Sequence, residues 1–112
     1  MGCHRLPSEK DVIYIQDIAV CVKRKSLTAY HIKKGTKKID AAFSGCRSLE
    51  CIDIPNSITN IGFSAFANCI SLEWIDIPNS VSEIGNNAFE RCFSLRSIDI
   101  PNSVKNIGKS AF

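Results

Sequence analysis

Asp53, Asp76 and Asp99 stand 23 residues apart, and His31 lies 22 residues before the first of them. A histidine beside a carboxylate is the start of a general-base pair, because the carboxylate fixes the ring's tautomer and stabilises its charge. No third residue completes a nucleophilic triad with His31 and Asp53, so no enzymatic activity is expected. Carboxylates stacked at a fixed interval do other work. They form an acidic stripe that attracts a basic partner or a cation, and they repel one another across neighbouring strands. Trp74 sits two residues before Asp76, in the place that Cys51 and Ser97 take around it and Ala29 takes further upstream. Tryptophan is among the side chains most used as interface anchors. The expected partner-binding face is therefore Trp74, Asp53, Asp76, Asp99 and His31. The plain alternative is a solvated stripe screened by nearby Lys and Arg, with Trp74 lying on aliphatic stems.

Six cysteines in 112 residues invite a disulfide framework or a zinc site. Cys46, Cys69 and Cys92 also recur every 23 residues, which places them in one column. Rungs of a stacked fold lie ~4.8 Å apart, too far for a sulfur bond of ~2.05 Å without rearrangement. No Cys-x-x-Cys pair occurs, and Cys46 and Cys51 are expected on opposite sides of one wall, so four converging zinc ligands are not in view. These three are read as buried, reduced thiols that fill space like small apolar residues. Cys3, Cys21 and Cys51 are less constrained, and neither metal nor cofactor is expected.

Charge is uneven along the chain. Residues 1–47 carry ten Lys and Arg against four acids, and residues 48–112 carry four against seven, within a net charge of +3. Lys33, Lys34, Lys37 and Lys38, with Lys23, Arg24 and Lys25, make a basic N-terminal end that could meet an anionic glycan or a nucleic acid. No aromatic residues interleave with these lysines, so a solvated cap is the favoured reading and nucleic acid the disfavoured one. No apolar run approaches the ~20 residues of a membrane-spanning helix, and the first residues lack the apolar core of a secretory signal.

The elements that place these residues follow from a repeat. Ala42-Phe43, Ala65-Phe66, Ala88-Phe89 and Ala111-Phe112 recur at 23, and between them runs Ala-Phe-x-x-Cys-x-Ser-Leu-x-x-Ile-Asp-Ile-Pro-Asn-Ser-[Ile/Val]-x-x-Ile-Gly. Each unit reads as one coil. Leu49 to Ile54 ends in the alternation of a strand with one buried face, and Pro55-Asn56 stops it because proline cannot donate to a ladder. Ile58 and Ile61 return apolar side chains to the interior. Gly62 marks a positive φ or a close backbone approach. Ser64, Asn87 and Ser110 precede each Ala-Phe pair and read as N-caps of a single helical turn. One coil cannot bury its own apolar face, but stacked coils can. The interior columns expected are Phe43/Phe66/Phe89/Phe112, Leu49/Leu72/Leu95, Ile52/Ile75/Ile98, Ile54/Ile77/Ile100 and Ile61/Ile84/Ile107, with Ala42/Ala65/Ala88 at a tight corner.

Leu27, Tyr30, Ile32 and Ile39 match Leu49, Ile52, Ile54 and Ile61 at an offset of 22, a degenerate coil one residue short. Two apolar runs, 12–15 and 18–22, flank Gln16-Asp17 and read as a β-hairpin. The single domain then divides into a tail (1–10), a hairpin cap (11–26), a degenerate repeat (27–41), three repeats (42–64, 65–87, 88–110) and a truncated one (111–112).

This motif resembles the leucine-rich repeat of the BspA-like family of bacterial and protozoan surface proteins, over residues 27–112. Ser57 takes the place of the asparagine in the general leucine-rich pattern, and Ile58 comes one residue early. The resemblance implies a β-rich leucine-rich-repeat solenoid of the α/β superhelix class, with short helical turns and the N-terminal hairpin as cap. It also implies protein binding or adhesion through the exposed strand face, at a cell surface or after secretion, although this chain shows no signal peptide. The alternatives are anion binding through the basic end and a structural spacer in a longer array. The last coil would leave an uncovered edge, where self-association is expected.

Overall fold

The computed structural model describes residues 12–22, 26–96 and 98–112, apart from the side chain of Cys21. Eight short strands follow one another: β1 (Val12–Ile15), β2 (Ile18–Val22), β3 (Ala29–His31), β4 (Lys38–Ile39), β5 (Cys51–Asp53), β6 (Asn60–Ile61), β7 (Glu83–Ile84) and β8 (Asn106–Ile107). They form two walls. One is a six-stranded sheet in the order β1-β2-β4-β6-β7-β8, and the other pairs β3 with β5. The Cys51–Trp74 bridge carries the second wall one coil further.

The hairpin forms where the alternation of apolar residues predicts it. β1 and β2 run antiparallel with Ile15 opposite Ile18, and a register shift lies between Ile13 and Tyr14. Gln16 turns the chain at φ +54°, a left-handed conformation that tight hairpin turns use. β2 then pairs in parallel with β4, Ala19 opposite Ile39, so the hairpin extends the larger sheet past the first coil. Tyr14 ties it to that coil as well: its hydroxyl lies 2.8 Å from that of the buried Tyr30 and accepts the amide of Lys33 at 3.1 Å.

The coils stack in register. Ile39 faces Ile61, Ile61 faces Ile84, and Ile84 faces Ile107 along the larger sheet. Phe43, Phe66, Phe89 and Phe112 form one column with ring centroids 5.4, 5.4 and 5.3 Å apart and planes within 13° of parallel. That separation exceeds the strand spacing because rings stack offset rather than face on. Tyr30 begins the column, 5.9 Å from Phe43 and tilted by 45°. Leu49, Leu72, Ile52, Ile75, Ile77, Ile61, Ile84 and Ala42, Ala65 and Ala88 are buried as expected.

Several expectations need correction. The longer ladder is the Ile61 wall, from which the sequence reading expected only inward apolar side chains, and not the Ile52 wall. On the Ile52 wall Glu73 still donates to the carbonyl of Glu50, and Arg96 to that of Glu73, both at 3.2 Å. The recurring aspartates repel across that wall, which opposes fuller pairing. Helical turns are almost absent: a single 3₁₀ turn, Ala41–Phe43, occurs among the described residues, in the coil whose corner is one residue short. Ser64, Asn87 and Ser110 are not N-caps. They have φ of +52°, +60° and +54°, whereas an N-cap takes extended angles. A second left-handed column, Gly45, Asn68 and Arg91, turns the next corner at +76°, +63° and +62°. Gly62 serves close approach and not positive φ, since a Cβ there would lie 2.6 Å from the carbonyl oxygen of Ile39. Towards residue 112 burial falls: Phe112 is 53% and Ile107 50% exposed, and Leu95, Ile98 and Ile100 are only partly buried.

Phe66 contacts a ring on both faces, so Phe66→Ala removes two stacking contacts and leaves a cavity. The expected cost is about 3–5 kcal/mol, a large share of the ~5–15 kcal/mol available to a domain. Urea unfolding at equilibrium measures it, and a midpoint equal to wild type would place the ring outside the core.

Candidate functional site

The face expected from the sequence lies on the wall built by β3, β5 and the Cys51–Trp74 bridge. Register puts Ala29 opposite Cys51, Tyr30 opposite Ile52 and His31 opposite Asp53. The middle pair is buried, and Cys51, His31 and Asp53 are part-exposed, as alternation requires of the outer positions. The His31 and Asp53 side chains meet: Nδ1–H of His31 donates to Oδ2 of Asp53 at 2.7 Å, which fixes the tautomer. Both are part-exposed, at 39% and 45%.

Trp74 is 42% exposed, one rung beyond Cys51, and Asp76 and Asp99 are exposed further along. All five expected residues are thus exposed or part-exposed along this wall. Ala29, expected outward with Cys51 and Trp74, is buried instead. Ser97, Lys23, Arg24, Lys25 and the tail lie outside the described residues. Among the described residues Asp76 and Asp99 have no ion-pair partner, while Glu73 meets Nε of Arg96 at 3.5 Å across adjacent coils.

Sequence reasoning missed the concave part of this surface. A groove of about 600 Å³ is lined by His31, Ile32, Lys33, Lys34, Asp53, Ile54 and Pro55. It forms where the chain leaves β3 and β5 and Pro55 ends the second strand. The signal available was the juxtaposition of His31-Ile32-Lys33-Lys34 with Asp53-Ile54-Pro55 at an offset of 22. A neighbouring hollow of about 450 Å³ shares Lys34, Ile54 and Pro55 and continues to Asn56 and Ser57.

The cysteines divide as their positions dictate. Cys46, Cys69 and Cys92 are thiols in the interior column, two of them fully buried and Cys92 partly. They do more than fill space. Sγ of Cys69 donates to the carbonyl of Phe43 at 3.1 Å, and Sγ of Cys92 to that of Phe66 at 3.2 Å, so each thiol bonds the backbone of the preceding coil. Cys51, which the repeat leaves less constrained, is disulfide-bonded. The column-spacing argument does not reach it, because Cys51 stands off that column on the outer side of the wall.

With this geometry in place the likeness to known proteins is plain. Residues 15–112 match the family described as BspA type leucine rich repeat region, in six copies. The chain belongs to the BspA-type leucine-rich repeat family. Six copies exceed the sequence count of three full repeats plus a degenerate and a truncated one. The fold is similar to a Treponema pallidum (T. pallidum) leucine-rich repeat protein, with TM-score 0.82 and 27% identity over 96% of this chain and 66% of that one. It is also similar to a leucine-rich repeat protein from Bacteroides ovatus, with TM-score 0.68 and 33% identity over 79% of this chain and 23% of that one. This chain therefore spans less than two thirds of either protein. No curated protein matches it. No helix among the described residues is long and apolar enough to cross a membrane.

Two predictions follow from the site's electrostatics. Asp76 is the middle charge of its column with no ion-pair partner among the described residues, so Asp76→Asn should leave stability unchanged or raise it at low salt, and the gain should fade as salt screens the repulsion. Thermal melts at two ionic strengths read this, and a clear loss would reveal a partner for Asp76. Burial pushes the Cys92 thiol up from 9.0 to about 11, against a smaller lowering by a backbone hydrogen bond from Cys69. An unfolded chain ionises this thiol first, so its contribution is whole below pH 9 and is lost between about 9 and 11. The stability difference between wild type and Cys92→Ala should shrink over that range, and a difference that grows would mean the native thiol ionises early.

Proposed function

We propose that this chain is a protein-binding module of the BspA-type leucine-rich repeat family, and that it engages its partner through the wall carrying Trp74, Asp53, Asp76, Asp99 and His31. Leucine-rich repeats of this family commonly serve protein interaction. The observation that carries the reading for this chain is Trp74. The fold does not require an indole there, since the same place in the preceding coil is filled by Cys51, yet Trp74 stands 42% exposed amid the acidic column. A large, rigid, half-exposed aromatic ringed by polar groups is the composition of an interface anchor. An adhesive role at a cell surface is the form of this function that the family resemblance suggests.

Capture of proteins from candidate host extracts by immobilised wild type and Trp74→Ala, side by side, tests the main reading. The variant should melt as wild type does and lose the specifically retained partner, and retention should change little with salt because the anchor is apolar. Equal retention by both proteins contradicts it, and retention lost steeply with salt would favour the anion-binding alternative.

A further inference from the structure

The groove beside the Trp74 wall has a composition of its own. Its floor is apolar, from Ile32, Ile54 and Pro55, and its rim carries Lys33, Lys34 and the His31–Asp53 pair. Asp53 accepts a hydrogen bond from Nδ1–H of His31. Among the described residues neither Lys33 nor Lys34 has an ion-pair partner, although Asp17 shares a smaller hollow with both; the Lys33 ammonium lies 5.9 Å above the ring of Tyr14. The groove is thus a concave, partly apolar surface whose two lysines outnumber the one carboxylate that lines it. Such a surface favours a small anion carried on an apolar or neutral body.

A polyanion does not fit as well. A nucleic-acid strand or sulfated glycan laid in the groove would continue onto either the Asp53, Asp76 and Asp99 column or the hairpin. The acidic column repels it, and the one ring that lines the groove for a base to stack on, His31, is held in its hydrogen bond to Asp53. One carboxylate followed by neutral or basic groups meets favourable charge at each step.

We propose that this groove is a carboxylate subsite, which takes an aspartate or glutamate side chain or a chain-terminal carboxylate of a protein segment that continues along the Trp74 wall. The proposal rests on the reading of that wall as the binding face, and it gives the partner segment a polarity: carboxylate at the first two coils, neutral or cationic groups opposite Asp76 and Asp99.

The test titrates the full chain with three short peptides and follows backbone amides by NMR at low salt. One is a blocked alanine pentapeptide with a central glutamate, one has a free terminal carboxylate and no glutamate, and one is blocked and neutral. A carboxylate peptide should move the amides of residues 31–34, 53 and 54 in the millimolar range, the neutral one should not, and the better of the first two identifies the source of the carboxylate. The double variant Lys33→Gln/Lys34→Gln should weaken the response at least about tenfold. Lys37→Gln/Lys38→Gln, with the same change of charge around β4 on the other wall, should change it less than about twofold. Trp74→Ala should leave these shifts in place, so failure of the groove is distinguishable from failure of the Trp74 wall. Absence of response to both carboxylate peptides, equal weakening by the two double variants, or binding of a heparin oligosaccharide alone would each overturn the proposal.

Discussion

The carbonyl of Ile39 takes the amide of Gly62, that of Ile61 the amide of Gly85, and that of Ile84 the amide of Gly108, at 2.7, 2.7 and 2.8 Å. This contact between one coil and the next sets the terms for the rest of the molecule. It brings backbone so close to backbone that a Cβ on Gly85 would meet the carbonyl carbon of Gly62 at 2.7 Å, and one on Gly108 the amide nitrogen of Asn86 at 2.4 Å. Glycine is therefore held at this corner by space alone. A few residues further along each coil the direction of donation reverses: Phe43, Phe66 and Phe89 donate to Ala65, Ala88 and Ala111 of the following coil. The thiols of Cys69 and Cys92 donate back to the phenylalanine carbonyls beside them. Buried backbone groups need such partners, and here neighbouring coils supply them.

Stacking at that distance makes every side-chain position a column, and columns decide what the surface can do. Inside, a column of identical rings or branched aliphatics gains contact with each added coil. Outside, a column of identical charges accumulates repulsion, as Asp53, Asp76 and Asp99 do. The first coil relieves this by placing His31 opposite Asp53, while Asp76 and Asp99 remain without a cation among the described residues. The proposed binding surface falls where the columns change identity: Cys51 becomes Trp74, Asp53 gives way to His31 towards the N-terminus, and Asn56 and Ser57 face the Lys34–Gly35 turn.

Much of this was legible in the sequence. The period, the phenylalanine, isoleucine and alanine columns, the hairpin and the outward aspartates all follow from spacing and alternation, which is how a repeat announces itself. The corners were not. Serine and asparagine before Ala-Phe are good N-caps and also tolerate left-handed angles, and only the backbone distinguishes the two. Arg91 conceals a left-handed position that Gly45 and Asn68 reveal once the coils are aligned. The disulfide at Cys51 was hidden because spacing along a column says nothing of residues off it. The groove escaped notice because it belongs to no repeat. It exists where the irregular first coil, one residue short, meets the regular second.

The central claim is that backbone contact between coils in a fixed register holds the fold together. Two deletions test it most directly. Removing residues 52–74 joins Cys51 to Ile75 and excises one whole repeat with every column preserved. Removing residues 53–74 instead leaves one extra residue in the strand, which turns the following side chains to the wrong face. Thermal unfolding followed by far-ultraviolet circular dichroism should show a cooperative transition for the first protein, at a lower temperature than wild type, and none for the second. Equal behaviour of the two would contradict the account.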